Sequence, residues 1–339
     1  MQFGNWKEWI NKFFKNNNNK KEKPKEELQE PSAPPLPSSP STELLQSSQV
    51  LTRENVTYNK DGTVRLFQTN KNGSYFLLGK QNPNNLKNFT TDSHYEFVKK
   101  KERNIEYWNV FSGDITYRST GEHAKSCRLN IFASSTKQTN DWKAAMKSGF
   151  IGNEKDLKNQ EVTAIIRVNK RVGRKTACCI KMRGGGHHKD RPDQAACIQL
   201  DVSTRDSGHA ARWAKELSHP LYEYQDLKPF FEFFVEEGKW FGMKTTSWNN
   251  NNNNNKDNTT ATTTNRCYID PDPFNSADGT LKNNYRLYSE YIDKGNGIRY
   301  PKIVVNWAGG VPTTIRVDGF ENVDFYACNA REIIPPSSC

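Results

Sequence analysis

The run Arg183-Gly184-Gly185-Gly186-His187-His188 joins a guanidinium, a stretch of backbone without side chains and two imidazoles. Glycines let a ligand approach the main chain closely. A guanidinium can hold a carboxylate or phosphate through two parallel hydrogen bonds, and a neutral imidazole beside it can take a proton near pH 7. The surroundings are basic: Arg167, Lys170, Arg171, Arg174, Lys175, Lys181, Arg183, Lys189 and Arg191 stand against one acid, Asp190. Lys181, Arg183, His188 and Arg191 are therefore candidate ligand-binding residues for an anion, and His187 is a candidate proton carrier. The same segment reads equally as a Gly-rich hairpin with two solvated histidines. No Gly-Lys-Ser/Thr follows, which excludes a phosphate loop.

A second polar cluster, Lys215-Glu216-Leu217-Ser218-His219-Pro220-Leu221-Tyr222, sets His219 and Tyr222 close enough to converge as a proton-transfer pair. Pro220 fits a plain turn just as well. No C-x-x-C pair exists, and no Asp/Glu group accompanies His187, His188, His209 and His219 at ligand spacing, so neither a metal nor a cofactor is expected. Asp270, Asp272 and Asp278 match no standard calcium loop and read as a solvated turn.

The elements that must position these groups are strands. Turn residues Asp61-Gly62 precede a strand at Thr63–Phe67. Further strand-like runs are Asp114–Ser119, Cys127–Ala133, Glu161–Asn169, Thr176–Arg183, Ala196–Val202 and Ala211–Leu217. Others are Lys239–Trp248, Arg266–Ile269, Lys302–Trp307, Thr313–Val317 and Val323–Ile333. In Glu161–Asn169, Val162, Ala164, Ile166 and Val168 alternate with Thr163 and Arg167, the mark of a strand buried on one face; Ile165 is the exception. Trp240 and Met243 read as packing residues. Helical signal is weak, with Thr139–Ser148 and Asp226–Glu237 each suited to a short turn or helix. Many short strands separated by turns predict an all-β jelly-roll sandwich over residues 55–334. The Asn/Thr tract 249–265 is expected as a loop insertion in it, with 335–339 as a tail.

Ahead of the sandwich lie two other kinds of chain. Residues 1–15 form an amphipathic helix on a helical wheel: Phe3, Trp6, Trp9, Ile10, Phe13 and Phe14 share one arc, opposite Asn5, Lys7, Glu8, Asn11, Lys12 and Lys15. Its own domain, a membrane interface or a partner's groove each fit this apolar face. Residues 16–54 are a disordered Pro/Ser/Lys-rich linker. Within it Pro31-Ser32-Ala33-Pro34 has the form of a peptide that recruits membrane-budding machinery, and also of ordinary linker.

The totals agree with a folded part diluted by polar stretches. Mean hydropathy is −0.91, yet 18 Phe, 13 Tyr and 8 Trp can supply a core. A net charge of +11 favours an acidic partner such as an anionic polysaccharide, nucleic acid or anionic lipid. Seven cysteines, two of them adjacent at Cys178-Cys179 and so facing opposite ways in a strand, do not form a secreted disulfide framework. With no signal-peptide pattern and no apolar run near 20 residues, the expected location is the cytoplasm, and a peripheral membrane contact through the N-terminal helix is one of the three readings of that helix.

Several stretches, in order along residues 55–334, resemble a group of carbohydrate-associated, concanavalin-type jelly rolls related in fold to alginate lyases. They are Gly113-Asp114–Ser119-Thr120-Gly121, Glu161-Val162-Thr163-Ala164, Lys181–His187, Lys215-Glu216 with His219–Tyr222, Gly238–Lys244, Tyr268-Ile269-Asp270 and Val323-Asp324-Phe325 with Arg331-Glu332-Ile333. The resemblance implies polysaccharide binding on one sheet. A lyase of that kind abstracts the proton α to a uronate carboxylate, which would give charge neutralisation to Arg183 and proton transfer to His187, or to His219 with Tyr222. The Gln-Ile/Val-His and Arg-Ser/Thr-Glu-Leu/Val-Arg strand motifs of the lyases are absent, so binding of an anionic ligand is favoured over catalysis. The alternatives are a non-enzymatic membrane-associated adaptor and nucleic-acid binding through residues 167–191.

Overall fold

The computed structural model describes residues 56–71, 75–77, 89–91, 97–111, 126–131, 159–171, 176–183, 197–207, 211–218, 221–225, 230–250, 262–294 and 313–336. All of them lie in one unit, Thr52–Cys339. The readings of the N-terminal helix, the linker, Asp114–Ser119, Thr139–Ser148 and Lys302–Trp307 lie outside the described residues.

Among the described residues fifteen strands form two sheets. They are β1 (Tyr75–Leu77), β2 (Phe89–Thr91), β3 (Phe97–Glu102), β4 (Ile105–Phe111), β5 (Ser126–Ile131), β6 (Gln160–Arg171), β7 (Ala177–Met182) and β8 (Cys197–Val202). These are followed by β9 (Ala211–Ser218), β10 (Leu221–Gln225), β11 (Trp240–Asn250), β12 (Thr262–Asp270), β13 (Arg286–Asp293), β14 (Thr313–Asp318) and β15 (Phe320–Glu332). One sheet runs β13-β12-β11-β6-β15-β4-β3, with β1 added on β15; the other runs β10-β9-β8-β7-β14-β5-β2. The fold is an all-β, antiparallel jelly-roll sandwich.

Period-2 alternation sets which side chains meet between the sheets. Val162, Ala164, Ile166 and Val168 of β6 enter a common core with Cys178, Ile180 and Met182 of β7 and Ile198, Leu200 and Val202 of β8. Met243 joins this core. Trp240 instead packs on the outer face of the larger sheet, edge-on to Tyr107 and Phe274. Ile165, the exception in the alternating pattern, sits there too, in a second apolar cluster with Phe274 and Ala327. Its apolarity marks a strand covered on both faces.

Polar contacts also tie the sheets together. The Trp213 indole N–H donates to Ser289 Oγ at 3.3 Å, and Lys215 Nζ lies 3.0 Å from Asp293 Oδ1 with both side chains fully buried. Cys178 enters the core, whereas Cys179 faces outward within reach of Gln199 and Arg316.

Three expectations change. Thr63–Phe67 is not a strand but part of a segment with two isolated bridges, Tyr58 with Val64 around a turn at Gly62 (φ +85°) and Thr69 with Ile333. Residues 230–237 contain no helix; Phe231 and Phe233 pack against the core two residues apart and Val235 is buried, a spacing that suits extended chain. The Asn/Thr tract begins and ends inside a hairpin, with Asn249 opposite Thr263 and Asn250 opposite Thr262. Side-chain bonds such as Asn250 Nδ2 to Thr262 Oγ1 at 2.9 Å join the two strands, and β-branched Thr favours the extended chain, offsetting the low strand preference of Asn.

Gly242 illustrates how closely the outer layer is fitted. A Cβ there would meet the Tyr285 hydroxyl at 2.7 Å. Gly242→Ala is expected to cost about 1–3 kcal/mol through displacement of that ring, read as a lower urea midpoint with an unchanged slope.

Candidate functional site

The site begins with three strands of the smaller sheet whose inward positions are apolar except for Lys215 and whose outward positions carry most of their other polar side chains. In β7 (ACCIKM), Cys179 and Lys181 face out. In β8 (CIQLDV) the outward residues are Cys197, Gln199 and Asp201, and in β9 they are Arg212, Ala214 and Glu216. Register joins them into rows. Tyr224 of β10 lies opposite Ala214, Ala214 opposite Gln199, and Gln199 opposite Lys181. In the next row Arg212 pairs with Asp201, Asp201 with Cys179, and Cys179 with Arg316 of β14.

Charge is matched within this face. Lys181 Nζ donates to Glu216 Oε2 at 3.0 Å and to the Tyr222 hydroxyl at 2.8 Å. Arg212 Nε reaches Asp201 Oδ2 at 3.2 Å, and Arg316 Nε lies 2.8 Å from Asp318 Oδ2. Lys181, Gln199, Asp201 and Glu216 are at most 2% exposed, while Tyr224 is 45% exposed and forms an accessible rim. Tyr222 and Tyr224 stack with ring centroids 5.9 Å apart and planes 16° from parallel. The Arg212 guanidinium covers Tyr224 at 3.8 Å from its centroid.

Burial and these neighbours set the proton affinities. Burial pulls the Lys181 ammonium down, but Cys197, Tyr222 and Glu216 outweigh it and the net shift is upward. Burial pushes the Tyr222 hydroxyl up to about 12 against the pull of Lys181 and Arg316. Tyr222 therefore keeps its proton at neutral pH. Burial also raises the Cys179 and Cys197 thiols, which stay protonated and unreactive. For Asp201 burial acts upward, and Arg316 and Arg212 more than reverse it, so the carboxyl is depressed.

A depressed folded value means that Asp201 contributes stability above the ordinary carboxylate range. That contribution is lost as pH falls through the depressed value. In acid unfolding curves, Asp201→Asn is expected to flatten this part of the pH dependence.

Besides Arg316 Nε, which lies against Asp318 as an ion pair without a well-aligned hydrogen bond, one polar atom in the face is left over. Gln199 Nε2 donates to Asp201 Oδ1, while Gln199 Oε1 is buried without a hydrogen-bond partner. Flipping the amide would set Oε1 against a carboxylate oxygen, so the orientation follows from the charge of Asp201.

Of the residues singled out in the sequence, the structure brings Lys181 and Tyr222 together. Arg183 lies elsewhere. Strict alternation would leave it on the outer face beside Lys181, but its φ of +59° breaks the alternation. Its guanidinium instead donates to Asn249 Oδ1 and, at 3.5 Å, to Ser247 Oγ on β11 of the other sheet. It is 1% exposed, and burial pulls its pKa down while Asp293 opposes that pull. His187, His188, Arg191 and His219 lie outside the described residues.

The basic run is also divided by the fold. Arg167 is on the outer face of the larger sheet, bonded to Asp324 at 2.8 Å and Glu102 at 2.7 Å and flanked by the rings of Tyr107 and Trp240. Lys170 pairs with Glu321, and Arg171 with Asp206. The carboxylates Asp270 and Asp278 are used in turns, accepting from the backbone N–H groups of Asn284 and Thr280. Among the described residues no group of three or more His, Cys, Asp or Glu is placed to hold a metal ion.

No protein-family model matches the chain. No curated protein matches its sequence either. Solved structures with a similar course of chain include an alginate lyase from Chlorella virus, at 8% identity over 71% of this chain and 92% of that one, with a TM-score of 0.35. Lectin II from Ulex europaeus is 10% identical over 76% of this chain and 97% of its own, with a TM-score of 0.34. The Emp47p carbohydrate recognition domain is 8% identical over 79% and 98%, with a TM-score of 0.33.

Proposed function

We propose that this domain binds a saccharide on the outer face of the smaller sheet, with Tyr222 and Tyr224 at its rim and Gln199 and Lys181 behind them. The observation that carries the reading is the unpartnered Gln199 Oε1, two strands from a stacked and partly exposed tyrosine pair. A buried amide oxygen without a donor costs about 1–3 kcal/mol, and a ligand hydroxyl would supply that donor. Sugars offer hydroxyls around their edges and apolar C–H groups on their faces. An aromatic pair bordered by oriented polar groups complements both features.

Binding is favoured over proton abstraction by the state of Tyr222. A hydroxyl pushed up to about 12, already accepting from the Lys181 ammonium, is a poor base at neutral pH. Calorimetric titration of the purified chain with a panel of oligosaccharides tests the proposal. Saturable binding, at about micromolar to millimolar Kd, is expected for at least one class. A flat response to every saccharide would overturn it.

A further inference from the structure

We infer that the segment 56–71 is seated on the larger sheet through bound water, one molecule of which joins Arg331 Nε to Asn329 Oδ1. Both side chains belong to β15 and are 0% exposed. Cys328 and Ala330 enter the core between the sheets, so Asn329 and Arg331 share the outer face, where they bond to Asp61, Thr63 and Thr69 of the segment. Two residues apart on one face of a strand, they stand about 7 Å from each other along the chain.

The bonds they do make fix the orientation of each group. Asn329 Nδ2 donates to Asp61 Oδ2 at 2.7 Å and to Thr63 Oγ1 at 3.1 Å. Flipping the amide would turn its oxygen onto the Asp61 carboxylate, so Oδ1 stays on the other side, buried and without a donor. The Arg331 guanidinium donates through Nη2 to Glu161 Oε2 at 2.5 Å and through Nη1 to Thr69 Oγ1 at 3.0 Å. Its Nε–H is buried without an acceptor. One of the two atoms is a donor and the other an acceptor. Water accepts from the first and donates to the second, so a single molecule completes both.

The Tyr285 hydroxyl is a further buried atom of this layer without a partner. It stands over Gly242, and its ring centroid lies 5.0 Å from Lys244 Nζ, which donates to Glu161 and Thr163. Burial, with Asp270, Asp61 and Glu161 nearby, pushes this hydroxyl well above its ordinary value. It keeps its proton, and water is the acceptor for it. Polar groups buried in folded proteins are met by protein partners or by internal water, and a dry layer would leave these three unmet.

Two measurements on the full chain test the inference, and neither depends on saccharide binding. The first labels the arginine side chains and assigns the Arg331 Nε–H signal with Arg331→Lys. Magnetisation transfer from water to that proton is then recorded in the rotating frame, where transfer from a bound molecule and chemical exchange have opposite signs. A cross-peak with the sign of bound water is expected. An Nε–H signal without that cross-peak would overturn the bridge between Arg331 and Asn329. The second measurement is urea unfolding of Tyr285→Phe, which separates a hydrated layer from a dry one by the direction of the change. Loss of a hydroxyl bonded to water is expected to lower the folding equilibrium constant about fivefold. A constant that is unchanged or raised, as removal of an unmet hydroxyl would make it, would overturn the hydration of the layer at Tyr285.

Discussion

Replacing Glu161 with Ala is expected to lower the unfolding free energy by about 3–5 kcal/mol, among the largest single-site losses in the domain. Glu161 stands on the outer face of the larger sheet and accepts from Lys244 Nζ at 3.0 Å, Arg331 at 2.5 Å and the Leu66 backbone N–H at 3.2 Å. All three charged side chains are fully buried. Lys244 is already pulled down by burial, with Glu161 the main opposing influence. Removing the carboxylate strands two cations and one backbone donor at once. It also releases the segment 56–71, which is otherwise held by Asn329 to Asp61 at 2.7 Å and Asn283 to the Val64 N–H at 2.9 Å.

Urea unfolding of the variant measures the loss. A partner variant with Glu161, Lys244 and Arg331 all made apolar is expected to recover much of it, because the cost lies in the unpaired charges and not in the absence of the pair. A loss below about 1 kcal/mol for Glu161→Ala would place the triad in water and contradict the buried arrangement.

The second large effect concerns the binding face. Gln199→Leu keeps the volume of the side chain and removes the free acceptor, and it is expected to weaken saccharide binding about tenfold. Stability should change by less than about 1 kcal/mol, since Asp201 loses the Gln199 donor but keeps Arg212, while the buried unpartnered oxygen is removed. Calorimetry and thermal unfolding on the same preparation separate the two effects. Unchanged affinity would remove Gln199 from the site.

How much of this was legible in the sequence can be read from particular strands. β6 showed its inner face because its four apolar positions alternate, and even Ile165 flagged the second apolar layer. β3 was missed because an edge strand reading Phe-Val-Lys-Lys-Lys-Glu has one buried residue, Phe97, and no alternation to detect. β10 was hidden for a related reason: five residues are too few to show a period.

Within the site, Lys181 and Tyr222 could be named from local clusters. Their partner Glu216 was in view but had no assigned role. Gln199, Asp201, Arg212, Tyr224 and Arg316 were not found, because what joins them is cross-strand register. The available signal was modest. β8 places Gln199 and Asp201 at alternate positions of an otherwise apolar strand that is buried throughout, and such polar residues require partners. Arg183 misled for the opposite reason. Its neighbours suggested an anion site, while one left-handed residue turned its side chain toward the other sheet.

Tyr222 and Tyr224 border the proposed saccharide site on the outer face of the smaller sheet. The most direct measurement is NMR of the chain with isotope-labelled tyrosine rings, assigned by single Tyr→Phe variants, during titration with the saccharide found by calorimetry. The Tyr222 and Tyr224 ring signals are expected to move with saturation, while those of Tyr288 and Tyr291, buried between the sheets, stay in place. Saturable binding that leaves Tyr222 and Tyr224 unmoved would contradict this placement.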